Sequence, residues 1–245
     1  MIDKLRVIGQ NIGKLMFPSV CPLCGEILED NQDKEMYICQ DCSQKLKPIK
    51  PPVCLKCGQE VDGIETDCCS DCAVVTRSYV KGFPALKYSP EMSKCLSDFK
   101  YHNMRSYAAF LADIIVRERG KEILLAGPEV IVPVPVHKSK LKVRGYNQAQ
   151  VLGEELGRRL KLPVDTELIE RGVKTAPQKE LSNAQREENL KRAFISSRKI
   201  VEYKSALIVD DIYTTGATVE ACTGVLHSMG IEDVYYTCVC IGQGL

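Results

Sequence analysis

The sequence of 245 residues predicts an α/β fold, a parallel sheet with helices on both faces, set behind a small cysteine-rich module. Three observations carry this. Apolar, strand-like runs alternate with helical patterns from residue 79 onward, and the runs at 130–136 and 206–211 lack the period-2 alternation of a half-exposed sheet. Strands of that texture belong in a parallel sheet covered on both sides. Nine of the thirteen cysteines crowd into positions 21–72. Finally, "ALIVDDIYTTGAT", residues 206–218, drives a buried strand into two adjacent carboxylates and a Thr-Thr-Gly turn.

Taken in order, residues 1–20 place Ile2, Leu5, Ile8, Ile12, Leu15 and Met16 at roughly helical spacing and predict a docking or capping helix. The stretch is too polar for a secretory core and lacks a small-residue cleavage site. No apolar run approaches the ~18 residues of a membrane helix. The expectation is a soluble, cytoplasmic chain without a membrane span. Lysine plus arginine (33) nearly balance aspartate plus glutamate (32), so any affinity for nucleic acid must come from a local patch.

Residues 21–78 hold four C-x-x-C pairs: Cys21 and Cys24, Cys39 and Cys42, Cys54 and Cys57, Cys69 and Cys72. Glycine follows the first and third. A shift of 33 residues lays the first pair on the third, and a shift of 30 lays the second on the fourth. Two thiolates three residues apart on a tight turn occupy two corners of a tetrahedron, and a second turn supplies the other two. Four sulfurs without histidine describe a closed structural site, so we expect two zinc ribbons, one zinc in each sequential repeat. Disulfides suit secreted chains, which this does not resemble. A four-sulfur iron site uses the same ligands. Cys68, beside Cys69, is an alternative ligand. Cys95, Cys222, Cys238 and Cys240 lie in apolar segments and read as small core residues.

Residues 79–245 form the α/β unit. "PALKY" predicts a strand, and "SPEMSKCLSDFKY" a helix with Ser89 as N-cap and Pro90 at its first position. "SYAAFLADIIVRERG" predicts a helix ending at Gly120, followed by the strand "EVIVPVPV" and the helix "NQAQVLGEELGRRL". "VDTELIER" reads as a strand and "SNAQREENLKRAF" as a helix with Leu190, Ala193 and Phe194 in the core. "SALIVDD", "TGATVEACTGVLHSMG" and "DVYYTCVCIG" complete the unit as strand, helix and strand.

Ligands of such sheets bind beyond the carboxyl ends of the strands, where Asp210 and Asp211 lie. The turn after them leads into a helix and offers backbone N–H groups with the positive end of the helix dipole, a cradle for phosphate. Thr214, Thr215 and Thr218 add hydroxyls, and Gly216 lets the backbone come close. The two acids would repel that phosphate but accept hydrogen bonds from sugar hydroxyls or help hold Mg2+ through water. Phosphate donors on one side and hydroxyl acceptors on the other describe a ribose 5-phosphate. A nucleotide-hydrolase strand also ends in acids, yet the partner loop is missing: "GQNIGKL" is one residue short and carries Leu15 where a hydroxyl must bind Mg2+. An ordinary strand-turn-helix capped by Thr215 is the plain alternative.

A second constellation, "VPVPVHKSKLKVRGYNQAQ", has no acid and gathers Lys138, Lys140, Lys142 and Arg144 in seven residues beside His137. We read it as a basic loop at the ligand end of the sheet, suited to pyrophosphate or to a nucleic-acid backbone, with a merely solvated loop as alternative. Gln178, Arg186, Asn189 and Arg192 make a third, between strands. Tyr88, Phe99 and Tyr101 are the aromatics available to stack a base, though core packing is the favoured reading of each.

The stretch 206–218 closely resembles the phosphoribosyl pyrophosphate (PRPP) signature of type I phosphoribosyltransferases. The resemblance implies that Asp210 and Asp211 bind the ribose hydroxyls and that Thr214, Thr215, Gly216, Ala217 and Thr218 hold the 5′-phosphate. It also implies Mg2+ with PRPP, and a loop carrying Arg186 that closes over the ligand. The whole order, cysteine pairs, "ALKYS…FKYHN", "PVPVHKSKLKVRGYNQ", "PQ…R..N…F" and "IVDDIYTTGAT", resembles the ComF/GntX family. That implies a phosphoribosyltransferase-like fold and a role in handling incoming single-stranded DNA beside a helicase-type partner. Two functions are open. One is an enzyme transferring the phosphoribosyl group to a nucleobase-like acceptor, with Asp210, Asp211, Lys138, Lys140 and Arg144 at the reacting centre. The other is a PRPP-binding module. We also expect Asp211→Asn to leave the melting temperature unchanged or higher, by relief of carboxylate repulsion.

Overall fold

The computed structural model describes residues 20–28, 37–63, 66–172, 193–197 and 201–242. Of the helix predicted over 1–20, only Val20 falls within them, and it bridges Ile27. Gln178, Arg186, Leu190, Asn189 and Arg192 lie outside the described residues.

The cysteine-rich part carries two short helices, α1 (Gln40–Ser43) and α2 (Ser70–Val74). The chain then runs through β1 (Lys81–Lys87), α3 (Pro90–Tyr101), α4 (Tyr107–Ala126) and β2 (Val130–Pro133). Next come α5 (Lys138–Arg144), α6 (Gln148–Leu160), β3 (Ile169–Arg171) and β4 (Phe194–Ser196). It closes with β5 (Ser205–Tyr213), α7 (Ala217–Ser228) and β6 (Asp233–Ile241). The main sheet is wholly parallel, in the order β1-β6-β5-β2, and β3 and β4 form a separate antiparallel pair.

The predicted fold class holds, and the side-chain period of two explains how one strand serves two cores. Leu207 and Val209 pack with Phe99, Leu111, Ile115, Leu152 and Leu156 of α3, α4 and α6. Ala206 and Ile208 pack on the opposite face with Val219, Cys222 and Leu226 of α7. Cys95, Cys222, Cys238 and Cys240 are buried, as their apolar settings predict.

Helix ends follow local chemistry. Ser89 accepts the Met92 N–H at 3.4 Å and Pro90 opens α3, as read from the sequence. Helix α4, however, does not stop at Gly120. It runs on to Ala126 and ends at Gly127, whose φ of 69° supplies the left-handed turn a helix stop uses. Gly120 is instead buried inside the helix against Leu160 of α6. Residues 138–144 are a helix rather than a loop. No glycine or proline interrupts them, His137 caps them by accepting the Ser139 N–H at 3.1 Å, and Gly145 at φ 78° ends them. The strand predicted over 164–171 is shorter, because Asp165 accepts the Glu167 N–H at 2.9 Å and turns the chain before Ile169. Phe194, read as the end of a helix, is in β4, though it and Ala193 are buried as expected. Phe99 is core, but Tyr88 and Tyr101 are exposed, contrary to the reading of them as packing residues. Among the described residues no helix is long and apolar enough to cross a membrane.

Candidate functional site

Each cysteine repeat folds into a tight group. The sulfurs of Cys21, Cys24, Cys39 and Cys42 all lie within 4.8 Å of one another, and so do those of Cys54, Cys57, Cys69 and Cys72. The first pair of each group sits on a turn closed by glycine, with Gly25 donating to the Cys21 carbonyl at 2.8 Å and Gly58 to the Cys54 carbonyl at 2.9 Å. The second pair flanks the first turn of α1 or α2. Cys68 is not one of the four.

The geometry fits zinc. Sulfur separations of 3.7 Å (Cys24 to Cys39) and 3.6 Å (Cys57 to Cys69) match the edge of a tetrahedron with metal–sulfur bonds of about 2.3 Å. They are far beyond a disulfide bond of about 2.05 Å, and all the cysteines are free thiols. Burial pushes the Cys42 and Cys57 thiols up, whereas Cys21 and Cys54 are lowered because neighbouring backbone N–H groups outweigh their burial. Each group thus has one sulfur, Cys21 or Cys54, favoured as a thiolate, and one buried sulfur, Cys42 or Cys57, whose thiolate needs a divalent cation beside it.

The second constellation lies at the carboxyl end of β5. Asp211 is buried, and its carboxylate pairs with the Lys100 ammonium from the last turn of α3. Burial would lower Lys100, but the Asp211 carboxylate outweighs it and holds the ammonium above its ordinary range. Asp210, partly buried, accepts the Asp211 N–H at 2.8 Å. Burial and the adjacent Asp211 charge push its carboxyl well above the usual range.

Other cations gather nearby. Lys140, exposed overall like its neighbours on α5, is lowered by partial desolvation and by the positive charges of Arg144 and Arg171. Arg171, at the end of β3, is also lowered by burial, against the pull of Asp210. The Arg144 guanidinium donates to Gln148 Oε1 at 2.9 Å and to the Tyr101 hydroxyl at 3.1 Å, with its centre 4.8 Å from the Tyr101 ring. Lys138 and Lys142 are exposed on α5. His137 is engaged in capping, its Nδ1 2.7 Å from Ser139 Oγ.

Beyond Asp211 the chain passes Tyr213 and turns at Thr214 and Thr215, both exposed, to Gly216 at φ 77°, with Ala217 and Thr218 opening α7. The Ala217 N–H faces Thr215 Oγ1 at 3.5 Å. The turn therefore meets the dipole of a 12-residue helix with two threonines turned outward. The structure brings Asp210, Asp211, Lys140 and Arg144 into one neighbourhood with Lys100 and Arg171, two residues the sequence reading left without a role. Nothing local marks them. Lys100 becomes meaningful only when α3 is laid against the end of β5, a long-range contact.

A cavity of about 740 Å3 lies on the same edge of the sheet, between the second cysteine group and the ends of β1 and β6. Glu60, Asp62, Lys87, Tyr88 and Ile241 line it, with Glu60 paired to Lys87. Ile241 is in register with Tyr213, one strand away from the Thr-Gly turn.

Sheet, strand-end acids, basic rim and paired cysteine groups define an α/β protein fronted by a double zinc ribbon. Comparison with known proteins agrees: the double zinc ribbon domain family matches residues 12–73. The chain is 31% identical over 202 residues to Competence protein F of Haemophilus influenzae, covering 80% of this chain and 87% of that one. It is 32% identical over 156 residues to DNA utilization protein YhgH of Escherichia coli, covering 62% and 68%. It is 28% identical over 204 residues to Competence protein ComFC of Bacillus subtilis, covering 79% of each. The chain belongs to the ComF/GntX family.

Proposed function

We propose that this protein binds PRPP with Mg2+ at the end of β5 and acts in the cytoplasm in the handling of incoming DNA. The observation that carries the ligand is the strand end itself: two carboxylates, a Thr-Gly turn onto a helix start, and a surrounding group of cations. Asp210 and Asp211 would take the ribose hydroxyls, and Thr214 to Thr218 the 5′-phosphate. Lys138, Lys140 and Arg144 would face the pyrophosphate, with Arg186 as a further contact. Mg2+ suits this set because the Asp210 carboxylate, crowded by Asp211, is an oxygen ligand whose charge a hard cation relieves. The DNA role rests on the names of the relatives, and the helicase-type partner on the family resemblance.

Calorimetric titration of the native protein with PRPP and Mg2+ should show binding, and a ligand at 100 times its dissociation constant should add about 2.7 kcal/mol of apparent stability. No binding at millimolar PRPP sinks the reading. For DNA, replacing Lys138, Lys140 and Lys142 by Ala should weaken binding to all single strands alike. It should also flatten the slope of log affinity against log salt by up to about 2, at ~0.7 per released counterion. An unchanged slope removes α5 as the DNA surface.

The cavity favours a second reading, a Mg2+-dependent transferase that passes the phosphoribosyl group to a nucleobase-like acceptor with release of pyrophosphate. Its size is within the range of small-molecule sites. The carboxylates of Glu60 and Asp62 suit an acceptor bearing N–H donors, and Tyr88 offers an aromatic wall. A screen of bases for pyrophosphate release separates the two readings, since turnover with any of them excludes a pure binding module.

A further inference from the structure

The two zinc ribbons descend from one repeated pattern, yet they dock on opposite faces of the sheet. Cys21, Leu23, Cys42 and Leu46 of the first pack into the core formed by α3, α4 and α6. Cys54, Cys57 and Cys69 of the second pack into the core formed by α7, the helix that begins at the Thr-Gly turn. Among the described residues, only the second is tied to that turn by a chain of contacts.

The links are specific. The Tyr236 hydroxyl, from β6, donates to the carbonyl of Cys57 at 2.8 Å. The Tyr236 ring stacks on Tyr213 at 4.7 Å and meets the edge of Tyr79 at 5.0 Å. The hydroxyls of Tyr79 and Tyr213 are 2.9 Å apart. Gly216 rests on the Tyr213 ring so closely that a Cβ there would come within 2.2 Å of the phenol oxygen. Behind the turn, Glu220 in the first turn of α7 accepts the Ser78 N–H at 3.0 Å and also pairs with the Ser78 hydroxyl. That bond matters for an anion site. A carboxylate in the first turn of a helix competes for the helix dipole and repels an incoming phosphate, and Ser78 draws it aside. Arg77, buried beside Cys72, Tyr79 and Tyr213, sets a positive charge between the four-sulfur group and the tyrosines. A zinc ion held by four thiolates would carry a net negative charge, which that guanidinium partly offsets.

We propose that the second ribbon is a structural part of the phosphate site, with Tyr79, Tyr213 and Glu220 as positioning residues that hold Thr214–Thr218 in an anion-binding curve. Zinc at Cys54, Cys57, Cys69 and Cys72 fixes the surface on which these residues rest. Zinc in the first ribbon stabilises the other face and does not reach the turn. This rests on the phosphoribosyl reading of the turn.

The test uses the full chain loaded with zinc and ribose 5-phosphate as probe. Cys72→Ser and Cys42→Ser should each lower the metal content by one zinc per chain. The affinity lost by Cys72→Ser should exceed that lost by Cys42→Ser at least fivefold. Tyr213→Phe keeps the ring and removes the hydroxyl, and should lose roughly threefold or more in affinity with both zinc ions retained and the chain still folded, the melting temperature falling by only a few degrees as the buried Tyr79 hydroxyl loses its partner. Glu220→Gln should likewise shift the phosphorus NMR signal of the bound probe. Equal losses in the two cysteine variants overturn the proposal, as do unchanged affinity in Tyr213→Phe and an unchanged signal in Glu220→Gln. Should Cys72→Ser not fold, Tyr213→Phe and Glu220→Gln decide alone. Native protein that fails to bind ribose 5-phosphate and PRPP removes the phosphoribosyl reading itself, whereas native binding with indifferent variants removes only the role of the ribbon.

Discussion

Stripping the protein with a strong zinc chelator should release two zinc ions per chain and lower the melting temperature by more than ~10 °C. Structural zinc in small peptides contributes about 10–16 kcal/mol of apparent binding free energy that is also folding free energy. Here the ribbons are not appendages. Cys21, Leu23, Cys42 and Leu46 belong to one core and Cys54, Cys57 and Cys69 to the other, so losing the metal uncovers both faces of the sheet. Even ~3–5 kcal/mol lost from the cooperative unit shifts a chain of this size by roughly 6–20 °C. Colorimetric zinc release followed in parallel with scanning calorimetry makes the measurement. Iron in place of zinc, or an unmoved transition on complete metal removal, refutes the assignment. Position within the group should matter as well. Cys24 is exposed and Cys42 is buried, so Cys42→Ser should cost more than Cys24→Ser, because its hydroxyl is left in an apolar wall.

What could be read from the residues alone divides along sequence distance. The C-x-x-C pairs and the strand–acid–Thr-Gly run declare themselves because each feature fits within a few residues and its chemistry fixes the spacing. Parallel strands were legible for the same reason: burial on both faces leaves continuous apolar runs. Gly120 misled because glycine at a helix end and glycine packed against another helix look alike until Leu160 is placed beside it. The basic segment 138–144 read as a loop from its charge, while its true signals were a capping residue before it and Gly145 after it. Lys100 was invisible as a site residue. Its partner lies on another element, and no local rule says which of many lysines will meet a buried carboxylate.

That pair reverses one expectation and sets the last prediction. Relief of repulsion between adjacent carboxylates suggested that Asp211→Asn would be neutral or stabilising. The Lys100 ammonium changes the sign. Removing its partner leaves a largely buried cation uncompensated, and breaking such a pair costs about 3–5 kcal/mol. Lys100 keeps some access to water, so the lower end applies, and the melting temperature should fall by roughly 6–12 °C. Replacing both partners, Lys100→Met with Asp211→Asn, should recover most of that loss, as it removes the stranded charge. Asp210→Asn should act in the opposite direction. Its folded carboxyl is raised by burial and by Asp211, above the ~3.9 of an unfolded chain. The folded state therefore holds the proton more tightly, so native stability is fullest below pH ~4 and declines as pH rises through the raised folded value. The gain from Asp210→Asn should be absent below pH ~4, grow with rising pH and be clear at neutrality. Melting temperatures of the two single variants across pH 4–8 check both signs together. Shifts of the same sign at neutral pH would mean that Lys100 is not the partner of Asp211. Both variants should still lose PRPP affinity, roughly tenfold, because an amide accepts more weakly than a carboxylate from a sugar hydroxyl, a bond to a charged group being worth about 1.5–3 kcal/mol. Stability and affinity moving apart in Asp210→Asn is the signature of a carboxylate kept for a ligand at the expense of the fold.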